Sequence, residues 1–382
     1  MRIAWVSHSS AAGGAELALV EGVRALVDRG QEVDVAVPRA GPLVVLLRDA
    51  GAQVLVARYP LWVSSGRWRT PAHRARRVAG TVAGARALSR LLARRRPDAI
   101  VTNTLAVASP ALTARWLGVP HVWYVHEFGR EDHGLRFDLP RGAAQRLMRH
   151  LSAEVIVDSQ AVGRVVRDWA DPARVHVVYY AVDVPSRPCR RPGDGVTLRL
   201  ALVGRRAPGK RQEDAIRAVS MLAERGVDVS LELVGGADAA YEQHLRALAD
   251  LGGAVGRVRF TPFTPDRLER LGDADVALMC SSSEAFGRTT VEAMKLGRPV
   301  IGADAGGTAE LVRDGWNGLL YPPGDPRALA LRIERLHRDR PFLRDLGAHA
   351  QEWSRATFTS ERYGDGLLRT LTRATAGARR RG

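Results

Sequence analysis

The chain has 382 residues, 46% hydrophobic and 26% charged, with a formal net charge of +16; this suits a soluble globular protein of two domains, roughly 150–200 residues each. No stretch of about 18 uncharged apolar residues occurs, so no helical membrane span is expected, and Met1-Arg2-Ile3-Ala4-Trp5-Val6 turns polar too soon for a signal peptide and reads as a buried strand. Two cysteines, Cys189 and Cys280, are too few for a disulfide framework or a zinc site, which points to a reducing cytoplasm.

Residues 3–7 form a short apolar strand, followed by the turn Ser9-Ser10-Ala11-Ala12-Gly13-Gly14. From residue 15 to 28, Leu17, Val20, Val23 and Leu26 recur at helical spacing, and Arg29-Gly30 ends the helix. A strand at 33–37, a helix at 42–50 and a strand at 54–56 continue the alternation, which predicts a parallel sheet covered by helices. Residues 71–96 read as a long helix with Val78, Val82, Ala85, Leu88 and Leu92 along one face. Strands follow at 99–102, 121–125, 154–158 and 175–179, with helices at 111–117 and 161–169, the second capped by Ser159. Ten arginines and no acid lie between residues 67 and 96, with Trp62 and Trp68 nearby. This basic run is either a solvated face of an arginine-rich chain or a surface for an anionic membrane or acceptor.

Residues 183–195 are rich in proline, glycine and charge and read as an interdomain linker. Alternation then restarts. Strands are expected at 198–203, 229–234, 258–260, 276–279, 299–303 and 318–321, with helices at 212–225, 239–251, 266–271, 289–296, 308–312 and 326–337. The end is helical from about residue 340 to 373 and closes with Arg379-Arg380-Arg381. The fold class is α/β: two Rossmann-like domains in series, with ligands expected in a central cleft at strand C-terminal ends.

The densest chemical signal is Glu284-Ala285-Phe286-Gly287-Arg288-Thr289-Thr290-Val291-Glu292. Glu284 follows a strand, Glu292 lies in the next helix, and Phe286-Gly287 mark the turn into that helix. Backbone N–H groups at such a turn can hold phosphate, and carboxylates accept hydrogen bonds from sugar hydroxyls. The competing account makes Glu284 a helix cap and Glu292 a surface residue. Gly204-Arg205 with Lys210, after another strand, could neutralise a departing diphosphate, or could simply be solvated. Gly13-Gly14 would let a ligand approach backbone amides, although neither a GxGxxG fingerprint nor a Walker sequence is present. His126, before Glu127 at a strand end, could bond substrate or shuttle a proton, or be a satisfied structural histidine. Asp273-Ala274-Asp275 imitates a metal motif, but it leads into a buried strand and lacks an obvious third ligand; no metal is expected.

Together these residues resemble a retaining glycosyltransferase of family four, with the GT-B fold of two Rossmann-like domains. The resemblance covers nearly the whole chain and is most specific between residues 276 and 325, where the E-x7-E spacing of Glu284 and Glu292 continues into Ala305-Gly306-Gly307-Thr308-Ala309-Glu310 and Asn317-Gly318. Cys280-Ser281-Ser282-Ser283 stands where the family often has Pro-Ser, and the 204–210 loop varies in length within the family.

By resemblance, Glu284 holds donor-sugar hydroxyls and Glu292 the ribose, while amides near Phe286 and Gly287 meet donor sugar or phosphate. Arg205 and Lys210 bind the diphosphate, Gly13 and Gly14 approach donor phosphate or acceptor, and His126 sits close to the reacting sugar. The resemblance implies transfer with retention, without a metal or other cofactor; the nucleotide sugar, a UDP-sugar, is a co-substrate. The expected acceptor is a glycan, a lipid-linked molecule or a small molecule. The expected domains are 1–183 for acceptor binding, a linker at 184–197, 198–350 for the nucleotide sugar, and a C-terminal helix at 351–382 crossing back to the first domain. The expected location is the cytoplasm, with peripheral contact at an anionic membrane face. Two rivals remain: a sugar-nucleotide epimerase on the same fold, and a protein that binds an anionic surface or nucleic acid. The second lacks any helix-turn-helix, aromatic RNA platform or zinc module, so no nucleic-acid partner is expected.

Overall fold

The computed structural model describes residues 1–64, 70–129, 132, 134–185 and 189–379. It divides into two compact units. One comprises Met1–Val182 and the chain from Phe358 onward, the other Asp183–Thr357.

The described strands of the first unit are β1 (Arg2–Val6), β2 (Glu32–Val37), β3 (Gln53–Val56), β4 (Val63–Ser64), β5 (Ala99–Thr102), β6 (His121–Val125), β7 (Arg136–Phe137), β8 (Glu154–Val157) and β9 (Val175–Val177). Seven form a parallel sheet in the order β3-β2-β1-β5-β6-β8-β9, while β4 and β7 pair antiparallel in a small ribbon. Strands covered by helices on both faces need continuous apolar runs. Accordingly Trp5 in β1 and Trp123 and Tyr124 in β6 are fully buried. Strand order runs outward in both directions from β1 and β5, so the loops after these two strands diverge and leave a crevice at their C-terminal ends.

Helix Gly14–Val27 buries Leu19, Val23 and Leu26, and the last helix, Ser360–Arg379, packs against it. Gly22 permits the approach, since a Cβ there would lie 3.0 Å from atoms of both Trp5 and Tyr363. The Tyr363 hydroxyl donates to the Ala18 carbonyl at 3.1 Å, and Arg29 donates to Asp365 at 2.8 Å. The last helix is therefore part of the first unit's core.

The basic run is not a single solvated face. In helix Pro71–Ala93, Ala85, Leu88 and Leu92 are buried and Val78 is exposed. Arg77 donates to Asp138 at 2.5 Å, and Arg95 donates to Asp34 at 2.6 Å. Both arginines are thus committed inside the unit. Trp62 is buried, its indole N–H donates to the Leu105 carbonyl at 2.6 Å, and its ring stacks on Trp123. That removes Trp62 as a membrane anchor; Arg67, Trp68 and Arg69 lie outside the described residues. Among the described residues no helix is long and apolar enough to cross a membrane. Helix Arg141–Leu151 was not anticipated from the sequence, although Ala144, Leu147, Met148 and Leu151 follow helical spacing after Pro140.

The second unit carries β10 (Leu198–Val203), β11 (Val229–Val234), β12 (Val258–Thr261), β13 (Val276–Met279), β14 (Val300–Ala303) and β15 (Gly318–Tyr321). All pair in parallel, in the order β12-β11-β10-β13-β14-β15, so here the order reverses between β10 and β13. Leu200, Leu231, Leu278 and Ile301 fill the core with Leu329 and Ile333 of helix Pro326–Arg338. Helix Arg340–Thr357 stays with this unit, because Leu343, Leu346 and Ala350 are buried in its cores.

The described part of the expected linker is also held by this unit. The buried Asp275 carboxylate accepts from the Arg190 guanidinium, from the Gly193 N–H at 2.7 Å and from the Arg199 N–H at 2.8 Å. This is the work of the second aspartate in Asp273-Ala274-Asp275. Charge-assisted bonds to three donors offset the cost of burying a carboxylate.

Candidate functional site

Each unit has a candidate site at its own reversal of strand order. In the second unit the loops after β10 and β13 carry Arg205, Lys210, Glu284, Phe286 and Gly287. The structure brings the two loops together. Lys210 Nζ donates to Glu284 Oε2 at 2.5 Å, and Ser281 Oγ donates to the Gly209 carbonyl at 3.0 Å. Arg205 is exposed, whereas Arg206 is buried and donates to the Thr261 carbonyl at 2.8 Å and to Glu242 at 2.6 Å. One arginine of the pair is thus spent on holding the loop and the other is left outside.

Gly287 precedes helix Arg288–Lys295 in a left-handed conformation, φ 95°, which favours glycine. Gly287, at the N-cap, has no side chain to cap that helix. Glu284 is therefore not the helix cap. Glu292 is not a surface residue either: it is 2% exposed, and its Oε1 accepts from Arg267 at 2.9 Å and from Arg288 at 3.1 Å. The helix enters the unit rather than lying on it, which turns Glu292 inward.

Behind this loop stand two glycines. The Gly307 N–H donates to the Glu284 carbonyl at 2.7 Å. A Cβ on Gly306, φ 55°, would lie 2.4 Å from that same carbonyl oxygen. The sequence showed the pair only as part of a family pattern; the structure gives it the task of seating the Glu284 loop.

In the first unit, Gly13 precedes helix Gly14–Val27, and a Cβ on Gly13 would meet the Glu16 carboxylate at 2.6 Å. The space at Gly13 is thus taken by the chain's own Glu16, while a Cβ on Gly14 would meet nothing within 4 Å. Across the order reversal, Asn103 after β5 donates to the Ala15 carbonyl at 3.4 Å. His126 follows β6 and is buried. Its Nε2 and Asn103 Oδ1 lie 2.9 Å apart, and its Nδ1 bonds the Tyr180 hydroxyl, which also donates to Asp158 at 2.8 Å. Glu127 Oε1 accepts from the Thr104 hydroxyl and the Leu105 N–H, each at 2.6 Å, and Oε2 accepts from the His126 N–H at 3.0 Å. Burial raises the Glu127 carboxyl above its ordinary range against the pull of these donors.

Asn103, Thr104, Asp158 and Tyr180 escaped the sequence reading, because they lie 22 to 54 residues from the partners they meet. Their common signal is position, each at or just beyond the C-terminal end of a strand. His126 is pushed down to about 3 by burial, with a smaller contribution from His8. Both ring nitrogens of His126 thus have partners inside the first unit.

His121 is also pushed down to about 3 by burial. Unfolding frees both histidines to titrate near 6.5, so the unfolded chain binds more protons than the folded one between pH 6.5 and 3. Their contribution to stability is complete above pH 6.5 and is lost as pH falls through that window, at about 2.7 kcal/mol per pH unit for the two groups. The raised Glu127 works in the opposite sense just above its ordinary value. Calorimetry should therefore show Tm falling from pH 7 to 5; a level Tm over that range would contradict this account.

Residues 12–185 match the family model described as "Glycosyltransferase Family 4", and residues 197–353 match the model described as "Glycosyl transferases group 1". The chain is 31% identical over 275 residues to a D-inositol 3-phosphate glycosyltransferase of Nocardioides sp., an alignment covering 63% of this chain and 59% of the relative. It spans about half the length of the curated relatives it matches. The crystal structure of Anabaena Alr3699/HepE in complex with UDP is 25% identical and aligns with a TM-score of 0.80, over 97% of this chain and 100% of that one. The same protein in complex with UDP-glucose aligns at 25% identity with a TM-score of 0.78, over 97% and 99% of the two chains.

Proposed function

Because the chain belongs to glycosyltransferase family four and has the two-domain α/β GT-B fold, we propose that it moves a sugar from a UDP-sugar to a hydroxyl of a glycan, lipid-linked or small-molecule acceptor. The observation that carries the reading is the Lys210–Glu284 pair, a cation and a carboxylate held 2.5 Å apart close to the glycine that opens helix Arg288–Lys295. That set matches a sugar diphosphate: an acceptor group for hydroxyls, and a cation and helix-start amides for phosphate. The UDP and UDP-glucose held by the Anabaena protein support the choice of nucleotide.

In this reading Glu284 accepts from the donor sugar's hydroxyls and Glu292 from the ribose. The amides around Phe286 and Gly287 face the donor, and Arg205 and Lys210 neutralise the diphosphate as it leaves. The bond between the anomeric carbon and the diphosphate oxygen breaks. A bond from that carbon to the acceptor oxygen forms on the same face, and the acceptor proton passes to the departing diphosphate. The anomeric configuration is retained, and the two cations take the place of a divalent metal. On the first unit, Gly13 and Gly14 offer backbone amides to the substrate, and His126 lies beside the reacting sugar.

A thermal-shift screen with UDP-, GDP-, ADP- and dTDP-sugars tests the reading. A UDP-sugar at about 100 times its Kd should add about 2.7 kcal/mol of stability. The absence of a shift with any of the four would sink it. Incubation with a UDP-sugar and no acceptor should yield only slow hydrolysis; an accumulating epimer would make the protein an epimerase instead.

A further inference from the structure

A cavity of about 520 Å³ lies within the first unit, lined by Leu105 after β5, by residues 127–129 and 135–141, by helix Arg141–Leu151 and by the segment around Trp169. Such a volume holds a small molecule or one end of a larger one. Its floor is apolar, with Leu105, Phe128, Met148 and Trp169 among the walls. Three arginines line it as well, Arg74, Arg136 and Arg141, of which Arg74 and Arg136 also have partners within the chain. Its two carboxylates are already committed. Asp138 is paired with Arg77 at 2.5 Å, and Glu127 accepts from Thr104, the Leu105 N–H and the His126 N–H. Arg141, at the start of its helix, is exposed and has no acidic partner among the described residues. Glu127 belongs to both the cavity wall and the His126 cluster, so the cavity adjoins the first unit's candidate site.

We propose that this cavity is the acceptor subsite and that it takes a phosphate monoester with an apolar group. The apolar group would occupy the floor and the phosphate would meet Arg141. This rests on the transferase reading above and narrows it, since Leu105, Phe128, Met148 and Trp169 offer an apolar wall beside the cation Arg141. Taking apolar surface out of water supplies affinity, while the guanidinium fork suits phosphate geometrically. Neither half of the ligand should bind well alone.

Isothermal titration of the full chain tests this with octyl phosphate, phenyl phosphate, inorganic phosphate and octyl glucoside. Octyl or phenyl phosphate should bind at least about tenfold more tightly than either single-feature control. The better of the two tells a lipid chain from an aromatic ring. Arg141→Ala should weaken that ligand about tenfold and Arg141→Glu further, with UDP binding unchanged as evidence of an intact fold. Equal affinity for all four probes, or indifference to both Arg141 variants, overturns the assignment. A UDP-sugar titration on the same protein separates the two readings. Normal donor binding without tight octyl or phenyl phosphate binding removes only the cavity assignment; no nucleotide-sugar binding at all removes the transferase reading.

Discussion

Replacing Lys210 with alanine is expected to lower kcat by about 10²–10³-fold, the usual cost of removing one preorganised charge partner from a developing anion. In the free protein Lys210 is half-buried and spends one of its three N–H donors on Glu284. Two donors remain for a diphosphate. Negative charge on that diphosphate grows as the anomeric bond breaks, so the lost interaction belongs mainly to the transition state. The decrease should therefore appear in kcat more than in KM. Lys210→Arg should recover part of the loss, because it restores the charge with a different reach and geometry. Release of nucleoside diphosphate, followed at saturating donor, gives the measurement. A kcat within twofold of the parent would mean that Lys210 serves only to hold Glu284.

Gly307→Ala is expected to weaken donor binding by about tenfold or more and to lower stability by about 1–3 kcal/mol, the range for forcing an extra methyl into packed space. Strain in φ is not the cause, since Gly307 has φ −67°. The added Cβ would sit 2.5 Å from the Ala285 carbonyl oxygen and 2.6 Å from that of Phe286. Those are backbone atoms of the loop that carries Glu284, and they cannot swing aside as a side chain could. The loop must shift, and the Gly307 N–H bond to the Glu284 carbonyl shifts with it. Gly236→Ala is the matched control, with no atom within 4 Å of its Cβ and no positive φ, and should be nearly silent. Calorimetric Kd for the UDP-sugar, together with Tm, decides the matter. Parent-like donor affinity in Gly307→Ala would show that the loop does not touch the donor.

The two positions differ in how far they could be read from the chain alone. Lys210 was marked by its place after a strand and by the resemblance. Gly307 stood in the family pattern with no physical task attached, because the clash that demands glycine comes from residues about 20 positions away. The basic run shows the same limit from the other side. Composition left residues 67–96 as either a solvated face or a surface for an anionic partner; within that run Arg77 and Arg95 are tied to Asp138 and Asp34, and the nearby Trp62 is stacked on Trp123.

By itself the sequence determined the alternation of strands and helices, the two-unit architecture and the strand–turn–helix around Glu284. Each depends on neighbours a few residues apart: apolar runs such as Ile3-Ala4-Trp5-Val6 and Val276-Ala277-Leu278-Met279, helical spacing, and a glycine that tolerates φ 95°. Only the tertiary structure decided that Lys210 meets Glu284, that Glu292 turns inward between Arg267 and Arg288, and that His126 is saturated by Asn103 and Tyr180. It also decided that helix Arg141–Leu151 lines a cavity. These contacts follow from strand order, which sets the loops after β10 and β13 side by side although more than 70 residues separate them. No local periodicity encodes that order; it is chosen by how whole elements bury their apolar faces together.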